Sequence, residues 1–217
     1  MAFSHSPKIV TDGLVLYLDA ANPKSYPGSG TTWKDLSGQG NNGTLVNNPS
    51  LNGGFVDFSG TNDYVSTNFT QNYSTVSFCA WVKNEANSQG GIITKGPVNG
   101  IEYGISFGYS NPVLLVCRHN GSSGQITVQW QNSYYQNGWH YICLTVGEGL
   151  KKLYIDANLV SQNSGNLGSP IESFQIGFHG SSYYFNGKLS QPQIYNRVLT
   201  ASEVLQNYNA LKGRFGL

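Results

Sequence analysis

The sequence predicts an all-β sandwich closed by one short C-terminal helix, and three observations carry that prediction. Apolar and polar residues alternate at period two along the chain and are interrupted at short intervals by Gly, Asn, Ser and Pro, the pattern of many short strands joined by tight turns. With 27 glycines, 14 tyrosines and one methionine, the composition suits aromatic-lined sheets better than packed helices. At 217 residues the chain is long enough for one sizeable core. Residues 1–11 accordingly read as an N-terminal arm and residues 12–217 as a single domain.

Strand patterns follow one another in the segments GLVLYLDA, GGFVDFS, DYVSTN, TVSFCAWVK, GGIITKG, YGISFGY, PVLLVCRH, QITVQWQ, GWHYICLTV, KKLYIDANLVS, FQIGFH and YYFNGKLSQPQIYN. In TVSFCAWVK both faces are apolar, with Val76, Phe78, Ala80 and Val82 on one and Cys79 and Trp81 on the other, which predicts a central strand covered on each side. Between GLVLYLDA and GGFVDFS lie about thirty residues crowded with turn formers, and a connection of that length is functional or tied down by its own side chains. Asp156-Ala157-Asn158 reads as a hairpin corner, because Asp and Asn tolerate the left-handed backbone that such turns demand. In the last pattern the apolar positions shift from odd (Phe185, Leu189) to even (Ile194) across Ser190-Gln191-Pro192. Proline cannot donate to a ladder, so a bulge or an edge position is expected there.

The helix has its own signature. Thr200 is placed as N-cap, Glu203 three residues on completes a capping box, and Leu199 with Val204 forms a hydrophobic staple. Leu205, Tyr208 and Leu211 continue the apolar stripe, and Lys212-Gly213-Arg214 offers a terminating glycine with cations at the negative end of the dipole, so the helix is expected over residues 200–212. A helix of about twelve residues is marginal alone in water and must dock on the sheet.

Composition also excludes classes of function. Charged residues are 11% of the chain and the formal net charge is +1, which argues against a nucleic-acid partner. No apolar run approaches the roughly 20 residues that span a bilayer, so no membrane partner is expected. The segment MAFSHSPKIV lacks a basic stretch followed by an apolar one, and synthesis in the host cytoplasm without a signal peptide is expected. Cys79, Cys117 and Cys143 each sit inside an apolar run, far from any C-x-x-C spacing, and read as buried free thiols.

Taken together, DGLVLYLDAANP, DLSGQGNNGTL, VDFSGTNDYVS, TVSFCAWVK, GWHYICLTV, LYIDANLV and FNGKLSQPQIYNRVLTASEVLQNYN resemble, in order and spacing, the laminin-G-like members of the concanavalin A-like lectin/glucanase superfamily. The resemblance implies a jelly-roll sandwich of two antiparallel sheets with the terminal helix outside it. The hairpin that in many relatives reads Asp-Gly or Asn-Gly is Asp156-Ala157 here. PKIVTDGLVLYLDAANPKSYPGSGTTW and NYNALKGRFGL further resemble proteins of tailed, especially marine, bacteriophages, in which this domain occurs in virion proteins.

Some members of the superfamily are retaining glucanases, which need two carboxylates about 5 Å apart. The eleven acids here are dispersed, no two within four residues of each other, and no catalytic residue is assigned. His5, His119, His140 and His179 are scattered, and His140 beside Trp139 reads as a hydrogen-bonded structural histidine. No His and Cys spacing fits zinc, and no cofactor is firmly implied. Some relatives bind Ca2+ at the sandwich rim, which draws attention to Asp19, Asp35 and Asp63 with nearby Asn22, Asn41, Asn42 and Asn62. The favoured alternative makes these Asx-turn residues, with Asp35 or Asp57 pairing with Arg197.

Trp130, Asn132, Tyr134 and Tyr135, with Tyr183 and Tyr184, are the candidate contact residues. Adjacent tyrosines on a strand point to opposite faces, so one of each pair is left for a surface. Sugar binding, protein contact and packing at a sheet edge each account for them. The expected function is a non-catalytic virion structural protein on the particle surface, a capsid decoration or fibre-type appendage. Its partners would be other virion proteins, with a second copy of the chain a further candidate through sheet edges. The alternatives are a carbohydrate-binding module for host-surface glycan and, remotely, a glycoside hydrolase.

Overall fold

The computed structural model describes residues 7–84, 89–95, 104–108, 114–117, 126–129, 138–165, 172–180 and 183–217. In chain order the strands are β1 (Leu14–Tyr17), β2 (Thr32–Trp33), β3 (Gly43–Val46), β4 (Ser50–Asn52), β5 (Phe55–Ser59), β6 (Tyr64–Thr67), β7 (Val76–Lys83), β8 (Gly90–Thr94) and β9 (Ile105–Gly108). There follow β10 (Leu114–Cys117), β11 (Ile126–Gln129), β12 (His140–Gly147), β13 (Leu150–Ile155), β14 (Asn158–Ser164), β15 (Gln175–Ile176), β16 (Phe178–His179), β17 (Tyr183–Tyr184) and β18 (Asn186–Tyr195). Helix α1 (Ala201–Leu211) and a 3₁₀ turn (Lys212–Phe215) close the chain.

The first sheet runs β14-β13-β12-β7-β18-β5-β4, with β1 added to β18; the second runs β11-β10-β9-β8-β15-β6-β3-β2. The pairings are antiparallel in both, as in the expected jelly roll. Alternation decides which residues fill the space between the sheets. Phe78, Ala80 and Val82 of β7, Ile142 and Leu144 of β12, Leu45 of β3, Val65 of β6 and Ile176 of β15 meet there with Trp33, which has no exposed surface. The opposite face of the first sheet is also covered: Cys79, Trp81, Tyr141, Cys143 and Tyr195 pack under Leu199, Val204 and Leu211 of the helical segment. That double cover explains why Val76–Val82 are all buried, as the sequence indicates.

The turn-rich connection after β1 departs from expectation, because it contains the three short strands β2, β3 and β4. It is also tied down by its own side chains. The Asp35 carboxylate accepts from the backbone N–H of Tyr17, Ser37 and Asn41 and from the Ser37 hydroxyl, while Asn41 Nδ2 donates to the Val15 carbonyl at 2.7 Å. In β18 the pairing with β7 shifts register between Ser190 and Gln193, with Gln191 at φ 51°, so the bulge lies where proline signalled it. Residues 186–189 then pair with β5 and residues 193–195 with β1.

Helix α1 begins as the sequence indicates. The Thr200 side chain accepts from the Glu203 N–H and the Glu203 carboxylate accepts from the Thr200 N–H. Its end differs: the left-handed residue is Gly216 (φ 77°), after the 3₁₀ turn, and not Gly213. Arg197 pairs with Glu203 at 2.7 Å and Asp12 at 2.8 Å, which corrects the expected pairing with Asp35 or Asp57. Asp57 instead lies 4.0 Å from Lys188. Buried Asn207 binds three elements together: its Oδ1 accepts from the Val10 N–H at 2.8 Å and its Nδ2 donates to the Tyr195 hydroxyl at 3.0 Å. Val10, in the segment read as an arm, is therefore packed against the helix.

Candidate functional site

Helix, 3₁₀ turn and N-terminal segment all lie on the first sheet. The β16–β17 hairpin lies against β8 of the second. Directly opposed residues in a sheet point to the same side, so the register fixes what the outer face of this second sheet presents. Thr32 opposes Thr44, Thr44 opposes Ser66, Ser66 opposes Gln175, and Gln175 opposes Thr94. Their chain neighbours Trp33, Leu45, Val65 and Ile176 are core residues, so the hydroxyl and amide groups of Thr32, Thr44, Ser66 and Gln175 point outward across four strands, and the file ends at Thr94, which is buried beneath the hairpin. Adjacent strands are about 4.8 Å apart, which gives the exposed part of the file a length of about 14 Å.

The hairpin closes one flank with aromatic rings. Phe178 lies 5.2 Å from Tyr64 and 4.7 Å from Tyr184, ring centre to ring centre, and His179 stacks on Tyr183 at 5.8 Å. The hairpin can approach β8 because position 91 is glycine: a Cβ there would stand 2.1 Å from the Phe178 carbonyl oxygen. The Thr94 hydroxyl donates to that same carbonyl at 2.6 Å. Tyr183 is 37% exposed, while Tyr184 is half-buried against Tyr64 and Phe178. One tyrosine of this pair thus faces solvent and the other packs. Trp130, Asn132, Tyr134 and Tyr135 lie outside the described residues; they follow Gln129, the last residue of β11 at the edge of this sheet. Thr32, Thr44, Tyr64, Ser66 and Gln175 were not singled out from sequence, although each alternates with a core residue.

The face carries no ionisable acid or base in this file. Next to it, buried Lys95 donates to the Thr70 carbonyl and to Asn72 Oδ1 and lies over the Phe174 ring at 5.3 Å. Burial lowers its pKa to about 8, against which nearby Glu172 acts. An uncharged row of donors and acceptors beside exposed aromatic edges suits a neutral ligand rich in hydroxyl groups.

Asp19, Asp35 and Asp63 are occupied elsewhere. The Asp19 carboxylate is buried and accepts from Arg214, the Tyr17 hydroxyl and the Ala21 N–H. Burial, then the Asp19 charge, raises the Tyr17 pKa. Asp63 accepts from the Ser59 N–H and hydroxyl, and Asp35 organises its loop. These are the turn-forming roles favoured over Ca2+ ligation, and among the described residues no three His, Cys, Asp or Glu side chains gather as a metal site. His140 is structural: its Nδ1 lies 2.7 Å from Asp156 Oδ2, and Asp156 Oδ1 accepts from the Tyr141 N–H. Asp156 and Ala157, at φ 51° and 65°, make the left-handed pair of a type I′ hairpin turn. A cavity of about 450 Å³ lies on the helix side between Lys152, Tyr154 and Val198, with Glu148 its one acid.

A family model described as the concanavalin A-like lectin/glucanases superfamily matches residues 59–205, more than half of the chain. The chain belongs to this superfamily. No curated protein matches its sequence. The concanavalin A-like fold is shared with the botulinum neurotoxin serotype D binding domain (TM-score 0.70, 17% identity), over 92% of this chain and 52% of the toxin chain. It is shared with Trypanosoma rangeli sialidase solved with the inhibitor DANA (TM-score 0.67, 15% identity), over 97% of this chain and 36% of the other. A third structure is domain 4 of AbnA, an extracellular arabinanase of Geobacillus stearothermophilus, solved with arabinotriose (TM-score 0.64, 17% identity), over 90% of this chain and 98% of that domain. The chain thus spans about half the length of the toxin chain and about a third of the sialidase. These likenesses carry the fold.

Proposed function

We propose that this concanavalin A-like domain is a non-catalytic carbohydrate-binding module whose ligand lies on the outer face of the second sheet. The observation that carries the reading is the uncharged file Thr32, Thr44, Ser66 and Gln175 beside the Tyr64–Phe178–Tyr184 rings. Hydroxyl and amide side chains match the donors and acceptors of a neutral sugar, and aromatic edges match its apolar faces. The similarity to an arabinanase domain solved with arabinotriose supports the same reading. The test is a glycan array at neutral pH, with and without CaCl2, on the wild type and on Gln175→Ala and Thr44→Arg. Binding abolished by Thr44→Arg at unchanged thermal stability supports the site; binding unaffected by both variants rejects it.

A second reading concerns setting. The resemblance of residues 7–33 and 207–217 to tailed-bacteriophage proteins favours display on a virion surface, as capsid decoration or fibre-type appendage held by neighbouring virion proteins. The two readings are compatible in one protein. Copy number per particle, measured by mass spectrometry against the major shell protein, separates decoration (many) from appendage (few), and absence from purified particles rejects the virion reading.

A further inference from the structure

We propose that Cys79 and Cys143 form a latent disulfide site, present as two thiols in the structure and closed by exchange with a low-molecular-weight disulfide. The two residues are directly opposed in the β7–β12 ladder and their sulfurs stand 2.8 Å apart. Opposed residues in an antiparallel pair have Cα atoms about 4.5–5.5 Å apart, inside the roughly 4.4–6.8 Å range that a disulfide spans. The sulfurs need to approach by less than about 1 Å to reach a bond of about 2.0 Å. The backbone already has the right spacing, so closure requires side-chain rotation and no strand movement.

The surroundings favour this chemistry over metal binding. Both sulfurs are fully buried among Trp81, Tyr141, Tyr154 and Tyr195 beneath α1, and no third ligand stands with them among the described residues. Closure balances as follows. One thiolate attacks the small disulfide, forming a mixed disulfide and releasing one small thiol; the second thiolate then attacks the bonded protein sulfur and releases the other. Two protein thiols are oxidised by two electrons, one small disulfide is reduced, and the two protons leave on the released thiols. Because both sulfurs are covered, exchange occurs before α1 docks or when it lifts.

The bridge would join residues 64 apart and draw together the two central strands of the first sheet. A loop of that size raises the thermal midpoint by about 10 °C in a chain of this length. The site would remain reduced in a reducing compartment and close in an oxidising one.

The test is to refold the full chain from urea in a glutathione redox buffer, beside a sample kept in dithiothreitol. Expected are a fall in denatured thiol count from the three cysteines of the sequence to one, a mapped Cys79–Cys143 cross-link, and a midpoint about 10 °C above the reduced sample, reversed by dithiothreitol. Cys117→Ser should preserve the cross-link and the shift. A thiol count still at three, or a bridge that includes Cys117, overturns the proposal.

Discussion

Asn207→Leu is the sharpest probe of how the helical segment is held. Asn207 has no exposed surface, and its amide serves two groups at once: the Val10 N–H, 2.8 Å from Oδ1, and the Tyr195 hydroxyl, 3.0 Å from Nδ2. Leucine has the same branched heavy-atom skeleton, is bulkier by its methyl hydrogens, and satisfies neither. The Tyr195 hydroxyl keeps a partner, because it donates to the Val10 carbonyl at 3.0 Å, so its loss is one ordinary hydrogen bond, about 1 kcal/mol. The Val10 N–H is left buried without an acceptor, at a cost of about 2 kcal/mol. The sum, about 3 kcal/mol, corresponds to a fall of about 6–12 °C in midpoint for a chain of this length. Urea denaturation followed by tryptophan fluorescence measures it, with an unchanged m-value showing that the folded state keeps its extent. Gln206→Ala is the control, since its Nε2 donates to the Lys8 carbonyl at the exposed surface, and it should lose less than about 0.5 kcal/mol. An Asn207→Leu protein within about 0.5 kcal/mol of wild type would refute the reasoning.

Three further outcomes are expected. Hydrogen bonds from Arg197 lower the Glu203 pKa to about 2 from an ordinary 4.5, so the stability from this pair is complete above pH 4.5 and is lost as pH falls toward 2; Glu203→Gln should flatten that limb of a midpoint-against-pH curve. Burial lowers the Lys95 pKa to about 8, so between pH 8 and 10.5 the unfolded chain holds a proton the folded one has released, and stability attributable to this group rises with pH, an increment that Lys95→Met should remove. Gly91→Ala brings a methyl group against the Phe178 carbonyl; it should cost about 2 kcal/mol or more in urea and weaken glycan binding, because the ring cluster must shift away from the file.

What the sequence made legible was local or periodic. The capping box needs only Thr200 and Glu203, three residues apart, and the bulge was announced by Pro192 within one broken alternation. The strands β2, β3 and β4 escaped because two to four residues among Gly and Asn hold too little period to read. Gly43 shows what positions them instead: a Cβ there would lie 2.7 Å from Val65 and 3.2 Å from Leu18, contacts only the fold reveals. Arg197 was assigned a remote partner when its stronger one, Glu203, stood six residues away on the first turn of the helix. The site divides in the same way. Tyr183 and Tyr184 stood out by residue type, whereas Ser66 and Gln175 are ordinary polar residues whose meeting depends on pairing between strands far apart in the chain.

The split pairing of β18 has a consequence for biosynthesis. This strand occupies the middle of its sheet, between β7 on one side and β5 with β1 on the other, yet it is translated after all of them. Until it emerges from the ribosome, β7 has an unclosed ladder and β1 has nothing to join. Completion of that layer therefore waits for β18 and is governed by very long-range closure, and a chain that has not yet made it exposes a sticky apolar rim.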